Sequence, residues 1–192
     1  GGQHPDLDFH DPTLEPAVEV TSTHGSFEWI LRDSIKRGYQ MGFVGGNDCH
    51  AGRAGDDRPG HQERRYSKGG LTGVYADELS LKGVLTAMRA RRVYATTGPR
   101  ILLDFGWGGA PMGGSVPART GPLRGHGWAL GSAEIASLQV IRNGAIEAEV
   151  PGSGPLGSIQ FTVPNPVPGD YVYLRVVQTD GQRAWSSPIW VG

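Results

Sequence analysis

The sequence predicts an α/β segment followed by an all-β one. In roughly the first hundred residues, short apolar runs alternate with stretches of helical period. From Arg100 onward no helical period appears, and short strand-like runs recur between turn signals. Gly98-Pro99 marks the change, which divides the 192 residues into expected domains at 1–99 and 100–192.

Residues 1–16 read as loop, because Pro5, Pro12 and Pro16 break any regular period. Ala17-Val18-Glu19-Val20-Thr21 has strand composition, with a carboxylate among β-branched neighbours. If both faces of that strand are buried, Glu19 needs a cation, a metal or hydrogen-bond donors. After a polar turn, a helix over 27–36 keeps Phe27, Ile30, Leu31 and Ile35 on one face and stops at Gly38. Met41–Val44 is a second buried strand, and the strand–helix–strand order predicts a parallel βαβ unit.

Residues 51–69 form a long polar loop of the kind that covers active sites or lacks order. A strand at 70–76 and a helix from Leu81 to about Arg92, capped by Ser80, follow. Val93–Thr97 is the next strand. The second half then shows strand-like runs at 101–105, 123–129, 136–142, 145–150, 158–163, 171–178 and 185–191, with a hairpin signal at Asn143-Gly144. About seven short strands in about 90 residues predict an immunoglobulin-like β-sandwich.

Composition narrows the function. A formal charge of −1 supplies no basic surface for a nucleic-acid backbone. No apolar run of about 18 residues is present to span a membrane. A single cysteine, Cys49, excludes an intrachain disulfide framework. The chain enters at Gly1-Gly2-Gln3-His4-Pro5 without an initiator Met, which points to a piece of something longer.

The most chemical stretch is Gly45-Gly46-Asn47-Asp48-Cys49-His50-Ala51-Gly52-Arg53, at the exit of the second strand. Asp48 and His50 are one residue apart. If the strand's geometry persists, both side chains project to one side as a carboxylate–imidazole ligand pair. The plainer alternative is an Asp in a glycine-rich turn beside an incidental His. Arg53 suits an anionic group such as phosphate, with a loop pair to Asp56 or Asp57 as its alternative. His10, His61 and His126 read as surface histidines, and Cys49 as packing. Trp107, Trp128, Trp185 and Trp190 either form a carbohydrate platform or fill the core of the sandwich and its seam, the second being favoured.

Three blocks carry a resemblance: Thr23-His24-Gly25-Ser26-Phe27-Glu28, Gly46–Arg53 and Arg91–Arg100. In order and spacing they resemble the C-terminal part of a metal-dependent hydrolase of the PHP (polymerase and histidinol phosphatase) superfamily. The branch is one known as a domain of unknown function, in which a β-sandwich follows the barrel. The resemblance implies a partial (β/α)7 barrel with two or three divalent metals (Zn, Mn or Fe) in the intact enzyme. A metal-bound hydroxide would attack a small-molecule phosphoester or related ester or amide bond. It implies metal ligation by Asp48 and His50 and by His4 in a His-Pro segment, and it places His24 and Glu19, in the matching block, either as further metal ligands or just behind them. The family's opening His-x-His strands have no counterpart here, so this chain alone is expected to be inactive. Half a barrel would also expose strand edges and invite homo-oligomers. The alternative reading is a non-enzymatic β-sandwich that serves binding or assembly.

Overall fold

The computed structural model describes residues 7–48 and 69–192. The expected βαβ unit is there. Strand β1 (Ala17–Ser22) turns through the short β2 (Gly25–Ser26) into helix α1 (Glu28–Lys36), and β3 (Gly42–Gly45) returns parallel to β1. The register sets Ala17 opposite Gly42 and Glu19 opposite Val44, with an irregularity between Glu19 and Thr21. Phe27 precedes α1 without a side-chain cap, and Gly38, at φ 81°, ends it in the left-handed region that favours glycine.

β4 (Leu71–Val74), α2 (Leu81–Arg89) and β5 (Val93–Thr96) come next. As expected, Ser80 caps α2, its hydroxyl oxygen accepting the Gly83 amide at 3.0 Å. Then follow β6 (Leu102–Trp107), the short β7 (Ala110–Pro111) and β8 (Ser115–Val116), and the long β9 (Leu123–Arg142) and β10 (Ala145–Val163). β11 (Tyr171–Gln178), β12 (Arg183–Ser186) and β13 (Ile189–Val191) close the chain.

The expected (β/α)7 half-barrel is not the architecture. The described residues contain two α-helices, and the parallel pairing of β1 with β3 goes no further. β4 and β5 pair antiparallel with each other, and β5 pairs antiparallel with β12. Strand–helix–strand order reads as a parallel crossover, but α2 only carries the chain back to an antiparallel neighbour. A ten-stranded sheet results, running β4-β5-β12-β11-β9-β6-β7 with β10, β13 and β8 attached. It crosses the division expected at residue 99–100.

The expected all-β second half is present, with eight strands from β6 to β13, two of them much longer than the short runs expected. The runs expected at 123–129 and 136–142 are one strand, and so are those at 145–150 and 158–163. Glycines and prolines there read as turns. Instead they bend a continuous ladder, which shifts register between Pro151 and Gly154 and again before Leu156. At the matching bend in β9, the buried Gln178 side-chain carbonyl accepts the Ser132 amide at 2.9 Å, which satisfies the backbone where pairing slips.

β11 sits at the centre of this architecture and explains its own sequence. Val172, Leu174 and Val176 face one core with Phe105, Trp107, Leu138, Val140 and Phe161. Tyr171 and Tyr173 face a second core with Val20, Leu31, Phe43, Trp185 and Trp190. The strand's period of two therefore divides the interior, and the βαβ unit packs on the second face. A polar clasp closes that seam. Tyr173 donates its hydroxyl to Glu28 Oε1 at 2.7 Å, and Arg175 Nη1 reaches both Glu28 oxygens at 2.9 and 3.0 Å. Burial first, then the Glu28 charge, pushes the Tyr173 phenol well above its usual range, so it stays a donor.

Candidate functional site

The mouth of the β1–β3 pair gathers three of the expected metal-site residues. β3 ends at Gly45, and Gly46 donates its amide to the Thr21 carbonyl at 3.0 Å. The Glu19 side chain lies flat against this turn. A Cβ added at Gly46 would stand 2.1 Å from Glu19 Oε2, so only glycine leaves room for the carboxylate. Asn47 then accepts the Thr23 amide through its carbonyl at 3.3 Å, which draws the 22–24 turn over the exit of β3. That turn is fixed locally, since the Ser22 hydroxyl accepts the His24 amide at 3.1 Å.

His24 Nε2 stands 3.2 Å from Asp48 Oδ2, with the imidazole mostly covered and the carboxylate about half exposed. Glu19 lies close enough for the Asp48 charge to act on it. Burial, and after it that charge, raises the Glu19 carboxyl above its ordinary value against a hydrogen bond from Ser22. A raised carboxyl favours the fold while protonated. Its contribution is present at low pH and is lost as pH climbs from the unfolded value through the folded one. In metal-free protein, Glu19→Gln is therefore expected to raise the neutral-pH melting temperature and flatten that decline. Melts between about pH 4 and about pH 8 check this; a variant that melts lower at neutral pH would refute it.

The extended strand geometry expected to carry Asp48 and His50 to one side does not reach Asp48. Asp48 has φ 49°, a left-handed conformation Asp tolerates, so the extended backbone has ended before the motif begins. What Asp48 meets is His24, from the preceding block. His4, Cys49, His50, Arg53 and His61 lie outside the described residues. Among the described residues no three of His, Cys, Asp and Glu converge as a metal site; His24 and Asp48 meet as a pair, with Glu19 beside them.

The remaining candidates are resolved by burial. Trp107, Trp185 and Trp190 are core residues, as favoured, whereas Trp128 is 37% exposed on the outer face of β9. His10 is not a surface histidine: its ring is covered, tilted over Tyr39 at 4.1 Å, and bonded to Glu15 at 2.9 Å. His126 is exposed, 3.9 Å from Asp104. Glu28 carries no functional signal in the sequence beyond its place in a block, yet it joins that block to β11. An acidic residue at a helix start carries no signal that its partners lie nearly 150 residues away.

Residues 56–115 match a family described as protein of unknown function, DUF3604. An uncharacterized protein of Chlamydia pneumoniae is 35% identical over 221 aligned residues, covering 94% of this chain and 35% of its own length. One from Chlamydia trachomatis is 34% identical over 187 residues, covering 85% of this chain and 29% of its own. The chain thus spans about a third of the length of these curated relatives. No solved structure matches. No helix among the described residues is long and apolar enough to cross a membrane.

Proposed function

We propose that this chain contributes donors to the site of a PHP-like metal-dependent hydrolase acting on a small phosphoester or related bond. The observation that supports it is the approach of His24 Nε2 to Asp48 Oδ2 at 3.2 Å, from two separate motif blocks, over the Glu19 carboxylate. The donor chemistry fits a divalent cation in part. One imidazole and two carboxylates suit Zn, Mn or Fe, and a plain His–Asp pair would leave the second carboxylate without a compensating charge. PHP kinship itself rests on the three sequence blocks.

Under this reading His24 and Asp48 hold the ion, and Glu19 either joins them or steadies Asp48 through the turn at Gly46. His50 completes the Asp-x-His motif and Arg53 binds the anionic part of the substrate, both by sequence. A bound divalent cation would supply Lewis acidity and lower the pKa of its water toward neutrality. Because the opening His-x-His motif of the PHP pattern has no counterpart in the sequence, the chain alone is expected to bind metal and turn nothing over.

Calorimetric titration with Zn or Mn tests the reading. Saturable binding is expected, weakened at least about tenfold by Asp48→Ala and by His24→Ala. Binding that ignores both substitutions would overturn it. Phosphoester turnover by this chain alone, lost in Asp48→Ala, would contradict only the expected inactivity.

A further inference from the structure

The α1 helix presents a second feature on its exposed side. A groove of about 410 Å³ runs between Arg32, Ile35 and Lys36 of α1 and a wall formed by Asn143, Pro168, Gly169, Asp170 and Tyr171. That volume lies in the range of small-ligand sites, roughly 300–1,000 Å³. We infer that this groove binds a small organic molecule carrying an oxyanion, a phosphate or a carboxylate, on an apolar ring or chain.

Charge is the first argument. Arg32 and Lys36 are four residues apart, so they lie one above the other on the same helix face. Neither is held in an ion pair among the described residues. The one carboxylate in the wall does not offset them. Asp170 is buried and fully engaged: Oδ2 accepts Arg142 Nη2 at 2.6 Å and the Val167 amide at 2.9 Å, and Oδ1 accepts Asn143 Nδ2 at 2.6 Å. Asp170 pairs with Arg142, which Glu147 also approaches at 3.7 Å, while Arg32 and Lys36 line the groove.

Shape is the second. The hairpin turn at Asn143-Gly144 brings the helix and the wall together: both Arg32 Cδ and Tyr171 Oη lie within 4 Å of where a side chain on Gly144 would begin. Gly144 has φ 85°, so the turn itself demands glycine and leaves this space open. Arg32 can present its planar fork to an oxyanion while Lys36 supplies a second, mobile charge. Ile35 and Pro168 give the remainder of a ligand apolar surface, with Tyr171 at the edge of the wall. Inorganic phosphate alone would leave that surface bare.

The test uses phenyl phosphate and benzoate as probes, with phenol as the uncharged control, on chelator-treated protein followed by NMR titration. Either or both anions are expected to bind saturably, shifting resonances of Tyr171 and the 32–36 segment, with phenol inert. Which anion binds more tightly distinguishes phosphate from carboxylate. Arg32→Gln with Lys36→Gln is expected to weaken binding at least about tenfold, because two charge-assisted contacts are lost together. Both residues are exposed, so the double variant should melt like the parent. Asp48→Ala should bind the probes unchanged, which separates this groove from the metal reading. No saturable binding of either anion, or binding equally strong in the double variant, would overturn the inference.

Discussion

Replacing Trp107 by alanine is expected to destabilise the protein by about 3–5 kcal/mol. The indole is 1% exposed at the end of β6, among Met112, Val116, Leu123 and Phe161. Its Nε1 donates to the Leu123 carbonyl at 3.3 Å. Truncation would remove the contacts and leave a cavity that a sheet pinned on both flanks cannot collapse to fill. Trp128→Ala, on the outer face, should stay within about 1 kcal/mol of the parent, since it removes a half-solvated ring and opens no cavity. Chemical denaturation of the two variants separates core from surface. A glycan array on Trp128→Ala also addresses the binding-module alternative, because Trp128 is the one of the four candidate tryptophans that a sugar could reach. Equal losses for Trp107 and Trp128 would mean that this face assignment is wrong.

Glu28→Ala is the second large effect. Glu28 links α1 to β11, and its removal strips the buried Tyr173 hydroxyl of its acceptor and Arg175 of its countercharge. Arg175 keeps its contact to Gln139 Oε1 at 2.7 Å, and the ion pair is about a quarter exposed. The cost should therefore fall below that of a fully buried pair, at about 2–3 kcal/mol. Tyr173→Phe removes one hydrogen bond and its donor together and should cost about 1 kcal/mol. A double-mutant cycle is expected to return a clear coupling between them. Additive losses would show the clasp to be incidental. Because the βαβ unit packs on the sheet through this seam, Glu28→Ala should also loosen the turn carrying His24, and amide exchange in residues 19–26 would report it.

The local elements were largely legible. Period and capping located β1, α1, β3, the Ser80 cap of α2 and the alternating strand β11, because those signals act within a few residues. What escaped was pairing over distance. Nothing near Thr96 announces that β5 will lie beside Ala184, and that pairing is what draws β4 and β5 out of a barrel into the ten-stranded sheet. Pro151 and Gly154 signal turns in isolation; only the partner strand β9 makes them bulges in a continuous hairpin. The site was legible as a set of blocks and not as a geometry. Asp48 and His24 could be named, but neither the left-handed backbone at Asp48 nor its approach to His24 is encoded in sequence spacing. The groove beside α1 was invisible for the same reason, being made by residues from opposite ends of the chain.

Anomalous diffraction from crystals soaked separately in Mn and Zn tests the central claim most directly. The account predicts a peak bonded to His24 Nε2 and Asp48 Oδ2, at about 2.0–2.2 Å for Zn, and no such peak in Asp48→Ala crystals. Crystals that take up metal elsewhere, or leave the His24–Asp48 pair intact with no ion upon it, would contradict it.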